Sequence, residues 1–69
     1  MKPSDLYPKL EGNHGKVLTI YLKDGNILRN RIFYGVDTTD YGDLYLNISE
    51  GKSETQIFLL NIQDVEFNS

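Results

Sequence analysis

From Lys16 to Phe67 the chain alternates apolar and polar residues with a period of two, and one short interruption shows how the run is folded. Val17-Leu18-Thr19-Ile20-Tyr21-Leu22 meets Lys23-Asp24-Gly25-Asn26, and the alternation resumes from Ile27 to Val36. Successive side chains of a strand point to opposite faces, so the pattern reads as strand, turn, strand. Asp-Gly between two such runs is a strong hairpin signal. Glycine accepts positive φ without a Cβ clash, and the resulting turn matches the twist of the flanking strands.

The remaining elements follow from the same periodicity. Strand one is expected over residues 16–22, with Leu18, Ile20 and Leu22 on one face. Strand two, over residues 26–36, is long. It must bend to serve two sides of a small barrel, and Gly35 is one place to do so. On it Leu28, Asn30, Ile32 and Tyr34 share one parity, and Ile27, Arg29, Arg31 and Phe33 the other. Residues 37–43 have the composition of a loop, and strand three follows at 44–48. A polar loop over 49–54 leads to strand four at 55–60, where Ile57, Phe58, Leu59 and Leu60 are continuous and expected to be buried on both faces. Asn61-Ile62-Gln63 fits one 3₁₀ turn, and residues 64–67 close as strand five.

Residues 1–15 read as a leader with a short helical turn. Tyr7 precedes a proline and is pushed away from the α region, so the turn is expected to start at Pro8 and stop at Gly12. Leu6 and Leu10 then drop onto one end of the barrel. The fold class is all-β: a small five-stranded bent antiparallel SH3-like barrel with a short N-terminal helical turn, in one domain over residues 1–69.

Size sharpens this. A chain of 69 residues buries only about 60% of the surface its unfolded form exposes, so a single copy is marginal. It has no cysteine, hence no disulfide or thiolate zinc site to reinforce it. Association with further copies is then a natural route to more burial. No apolar run approaches the ~20 residues of a membrane helix, and residues 1–11 lack a signal peptide, so a cytoplasmic protein without membrane contact is expected.

Chemistry is sparse. His14 is the sole histidine and has no Ser-His-Asp or His-Glu partners, and no glycine loop is spaced to cradle phosphate. No enzyme and no cofactor are expected. Asp37, Asp40 and Asp43 lack the alternate spacing and terminal bidentate acid of a calcium loop, so no metal is expected either. A net charge of −3 opposes generic duplex binding, which depends on phosphate neutralisation. The charge is uneven: Lys16, Lys23, Arg29 and Arg31 sit in the first hairpin, where they either track a phosphate backbone or solvate an outer face. Tyr41, between small flexible residues, offers a stacking platform for a base or else tucks against the barrel rim. Asn61 either reads a base edge or ribose or satisfies the backbone of its turn.

The first half of the barrel resembles the Sm/Lsm/Hfq family of ring-forming RNA-binding proteins. Gly15-Lys16, then Leu18-x-Ile20-x-Leu22-Lys23-Asp24-Gly25, Ile27-Leu28-Arg29 and Arg31-Ile32, is similar to the start of that family's first motif, and Leu44-Tyr45-Leu46 to its close. The run from Ile57 to Ile62 resembles the second motif in hydrophobic pattern. The resemblance implies an Sm-like barrel that forms a homo-oligomeric ring through strands four and five and holds single-stranded, A/U-rich RNA. It further implies that Tyr41 stacks a base, Asn61 orients it, Thr39 and Asp43 flank the aromatic, and Arg29 or Arg31 contacts phosphate.

Several positions differ from the family pattern. Asn30 stands where the family has glycine, and a buried amide there needs a partner. Asp43 replaces an asparagine, and Thr39 an acid unless Asp37 serves instead. Phe58, Leu59 and Leu60 occupy the places of Arg-Gly or Lys-His. These departures motivate the alternative: a structural or protein-interaction barrel that has lost RNA recognition.

Overall fold

A computed structural model describes residues 3–68 of the chain. Its elements are a helix α1 (Pro3–Leu10), strands β1 (Val17–Leu22), β2 (Ile27–Thr38), β3 (Leu44–Glu50) and β4 (Ser53–Phe58), a 3₁₀ turn η1 (Leu59–Asn61), and β5 (Ile62–Phe67). The strands pair antiparallel in one sheet ordered β4-β3-β2-β1-β5. Its extents of 28 × 23 × 23 Å are nearly equal, whereas a flat layer would be only about 10 Å through. The sheet is therefore curled into the small SH3-like barrel, with β4 and β5 as its two free borders. None of the helices among the described residues is long and apolar enough to cross a membrane.

The first hairpin forms as its turn residues dictate. Asp24 accepts from the Asn26 backbone N–H at 2.9 Å and from its side-chain amide at 3.1 Å, while Gly25 takes φ +95°. The second is tighter than its composition suggests: β3 runs on to Glu50 and β4 starts at Ser53, so only two residues turn the chain.

Strand β2 bends at two points. It pairs with β1 up to Ile32, then with β3 from Phe33 to Thr38. The first irregularity lies between its pairings with Leu18 and Ile20, where Asn30 has φ +56°. Asparagine is among the few residues other than glycine that tolerate this left-handed region. Asn30 is exposed, so its amide meets water and needs no protein partner. The bulge also shifts parity: Leu28 and Phe33 face inward, while Ile32 and Tyr34 face out. The simple alternation expected across the whole strand is thereby corrected. The second irregularity lies between Phe33 and Gly35, as expected for that glycine. Gly35 has φ +149°, and a Cβ there would meet the His14 ring at 3.4 Å.

The core comprises Leu6, Leu10, Leu18, Ile20, Phe33, Leu46, Ile48, Leu59, Ile62 and Val65. Phe33 sits between the His14 and Phe67 rings, at centroid distances of 5.2 and 5.8 Å. At the β2–β3 crossing, Ser49 Oγ accepts from the Ile32 N–H at 2.8 Å.

Two expectations need correction. The helix spans Pro3–Leu10 and carries Pro8 inside it, rather than starting there. An interior proline costs about 3 kcal/mol. Full burial of Leu6 and Leu10, one turn apart on the same face, returns roughly 1.5–3 kcal/mol each. Tertiary burial wins over the local preference of Tyr7. The second correction concerns residues 57–60. β4 ends at Phe58 and the 3₁₀ turn begins at Leu59, so the run alternates: Ile57 is half-buried and Leu59 fully buried, but Phe58 and Leu60 face outward. A border strand has a covered face and a bare one.

Helix α1 is fastened to β5 by Lys9, whose Nζ lies 2.8 Å from Asp64 Oδ1. That hydrogen bond is the main cause holding the Asp64 carboxyl below its ordinary range; burial opposes it, and the Val65 N–H adds to it. A carboxyl whose pKa is depressed by folding contributes stability above its unfolded value, lost as pH falls through the folded one. The pair is surface-exposed, so we expect Lys9→Met to cost less than about 1 kcal/mol near neutrality and to flatten the loss of stability below about pH 4 in urea titrations. The bulge makes a second prediction. Asn30→Gly should keep stability or raise it by up to ~1 kcal/mol, and Asn30→Val should lower it by about 1–2 kcal/mol, in the same assay.

Candidate nucleic-acid interface

The β2–β3 loop, residues 39–43, is built around one hydroxyl. Thr39 Oγ1 accepts from the backbone N–H of both Tyr41 and Asp43, each at 3.2 Å. Backbone bonds close the same loop: the Thr39 N–H donates to the Asp43 carbonyl and the Gly42 N–H to the Thr39 carbonyl, both at 2.9 Å. Gly42 takes φ +87°, which completes the reversal. With the turn's own groups satisfied, Tyr41 stands away from the barrel, 93% exposed. It does not tuck against the rim.

Turn η1 is pinned from below and bare above. Leu59 is fully buried, and the Asn61 carbonyl accepts from the Lys23 N–H at 2.9 Å, which ties the turn to the first hairpin. Leu60 is 66% exposed. The backbone satisfaction anticipated for Asn61 is thus supplied by its carbonyl, and the residue itself is exposed.

Loop and turn meet across a groove of about 370 Å³ lined by Gly42, Asp43, Leu44, Phe58, Leu60 and Asn61. A second, larger opening of about 600 Å³ adjoins it, lined by Leu22, Lys23, Asp24, Gln56, Ile57, Phe58 and Asn61. This is the seam where β4 stays apart from the β1–β2 turn. Asn61 and Phe58 belong to both. Both openings fall within the size range of small-ligand pockets; the smaller is mostly apolar beside Asp43 and Asn61, and the larger mixes apolar residues with Lys23, Asp24, Gln56 and Asn61.

The six sequence-derived candidates divide. Asp43 and Asn61, 18 residues apart in the chain, share one groove. Thr39 shapes the loop, and Tyr41 projects from the same loop. Arg29 and Arg31 line neither opening. Arg31 is half-buried and its Nη1 donates to the Ser49 carbonyl at 3.2 Å, so its guanidinium serves the β2–β3 crossing. The loop acids also separate: Asp37 belongs to β2, opposite Tyr45, and its carboxylate accepts from the Thr38 N–H. Among the described residues no three acidic, His or Cys side chains are gathered as metal ligands would be.

Phe58, Leu60 and Leu44 were missed as site residues. Phe58 also meets Tyr45 edge-on at 6.2 Å on the outer face. The sequence carried no signal for them: residues 57–60 are uniformly apolar, and the alternation of covered Ile57 and Leu59 with exposed Phe58 and Leu60 appears only once β4 is a border strand.

Thr39→Val keeps the shape of the side chain but removes the acceptor. Amide exchange at Tyr41 and Asp43 should accelerate by about 2- to 10-fold with global stability changed by no more than ~1 kcal/mol. Unchanged exchange at both amides would mean that the hydroxyl does not hold the loop.

No family model, curated protein or solved structure matches this chain.

Proposed function

We propose that the chain is an Sm-like RNA-binding protein that assembles into a homo-oligomeric ring and holds single-stranded RNA where the β2–β3 loop meets η1. The observation that carries the reading is the meeting of Tyr41's loop and Asn61's turn at a groove beside a free sheet border. An aromatic 93% exposed on an ordered loop is a stacking platform that accepts any base. Asn61 adds a hydrogen-bonding edge, which a splayed single-stranded base can meet.

The borders support the assembly half of the reading. β4 and β5 lie at opposite ends of the strand order, each with one row of backbone groups turned outward. Phe58 and Leu60 are apolar and exposed at the end of β4, and Phe67 is half-buried on β5. Joining β4 of one copy to β5 of the next satisfies both rows and covers apolar surface that a chain of 69 residues cannot hide alone.

A second reading has its own observation. Arg31 is committed within the chain, and the groove carries Asp43 and exposed Phe58 and Leu60 rather than cations. A protein-interaction barrel without RNA recognition fits those features. Light scattering followed by fluorescence titration with short U-rich and A-rich RNA separates the two. Under the first reading an assembled ring binds with salt-sensitive affinity, and Tyr41→Ala weakens binding roughly 5- to 150-fold. An assembled protein with no binding at micromolar concentration selects the second reading, and a monomer at high concentration removes the ring.

A further inference from the structure

Resting on the RNA reading above, we propose that the groove between the β2–β3 loop and η1 selects guanine, through the Asp43 carboxylate and the Asn61 amide that both line it. Asp43 is well placed in the loop yet idle in its construction. The bonds that close the loop use its N–H, which donates to Thr39 Oγ1, and its carbonyl, which accepts from Thr39. Its carboxylate is in neither. Three other aspartates spend theirs locally: Asp24 on Asn26, Asp37 on Thr38, Asp64 on Lys9 and Val65. Asp43 is exposed and lines the groove, whereas Asp40 of the same loop does not line it. The loop fixes its backbone through Thr39 and leaves the Asp43 carboxylate for a ligand.

The chemistry of that group is narrow. An ionised carboxylate accepts hydrogen bonds and donates none. Guanine alone among the four RNA bases presents two adjacent donors on its Watson–Crick edge, the N1–H and the N2 amino group. They match the two carboxylate oxygens in a parallel, charge-assisted pair. Uracil presents one N–H between two carbonyl oxygens, which would face the carboxylate lone pairs. Adenine and cytosine each offer an amino group next to a ring nitrogen acceptor, so one carboxylate oxygen meets a donor and the other a lone pair.

Asn61 lines the same groove. Its amide donates as well as accepts, so it can donate to guanine O6, the acceptor next to N1 on the same edge. Leu44, Phe58 and Leu60 offer apolar contact for the ring faces.

The test compares one protein against a small set of probes. Fluorescently labelled U-rich hexanucleotides carry guanine, inosine, adenine, cytosine or uracil at one central position. The guanine probe should bind at least about fivefold more tightly than the uracil probe. Inosine keeps the N1–H but lacks the 2-amino group, so it should lose most of that advantage. Asp43→Asn should bring guanine and uracil to within about twofold of each other while binding itself persists. Equal affinity of the guanine, inosine and uracil probes for the unaltered protein overturns guanine selection and leaves RNA binding standing. Failure of the assembled protein to bind any probe overturns both. The inosine comparison needs no substitution in the protein, so it decides the matter even if Asp43→Asn fails to fold.

Discussion

A five-stranded sheet of this length closes on itself only if one strand can serve both halves, and in this chain that strand is β2. Its twelve residues pair with β1 first and β3 afterwards, and a straight strand cannot do both. The bend needs backbone conformations that ordinary side chains resist. Asn30 supplies one at φ +56° and Gly35 the other at φ +149°. The two sites differ in what surrounds them. Asn30 lies exposed, where an amide is well solvated. Gly35 is buried with the His14 ring 3.4 Å from where a Cβ would stand, and its φ is one that L side chains rarely adopt. Glycine is therefore the stricter requirement at position 35. Curvature at these points brings β4 round toward the β1–β2 turn and opens the seam between them.

The position of the site follows from that curvature. Thr38 ends β2 beside the start of β3, and Phe58 ends β4 opposite Tyr45. The β2–β3 loop and η1 therefore emerge at the same end of the barrel. Lys23 fastens η1 to the first hairpin through the Asn61 carbonyl, so the turn is anchored to the half of the sheet farther from β4. Two rigid pieces from different halves thus face each other across one groove. Helix α1 contributes Leu6 and Leu10 to the core, packs against η1 and fastens to β5 through Lys9.

Much of the fold was legible because period-two patterning and turn chemistry agree. Asp24-Gly25 marks the first hairpin, Gly35 a bend, and Leu6 and Leu10 a covering helix face, all as the structure has them. What escaped involves competition between local and tertiary terms. Pro8 argues against a helix through Tyr7, but the burial of two leucines outweighs a missing hydrogen bond. The bulge at Asn30 inverts the parity as far as the second irregularity at Phe33–Gly35, and no alternation rule anticipates an extra residue. Residues 57–60 look like a buried core strand because hydrophobicity does not say whether a strand is central or at the border. Asp43 and Asn61 were legible as residue types. Their meeting was not, because it depends on a sheet that must first curl.

Overall charge weighs less at such a site than the placement of individual groups. A net −3 opposes broad adhesion to phosphate; Arg31 is bonded to Ser49, while Lys23 lines the opening that adjoins the groove. Binding at this end would add stacking and base-edge hydrogen bonds to the salt-sensitive part that phosphate contacts supply. An acidic group in the groove then works in two ways. Under the proposed guanine selection it would disfavour backbone phosphate and any base whose edge returns lone pairs to it. Phosphate attraction adds equally for every base, so it leaves the ratio between bases to the groups at the base edge. Under that proposal the carboxylate of Asp43, not the net charge, would decide which base is kept.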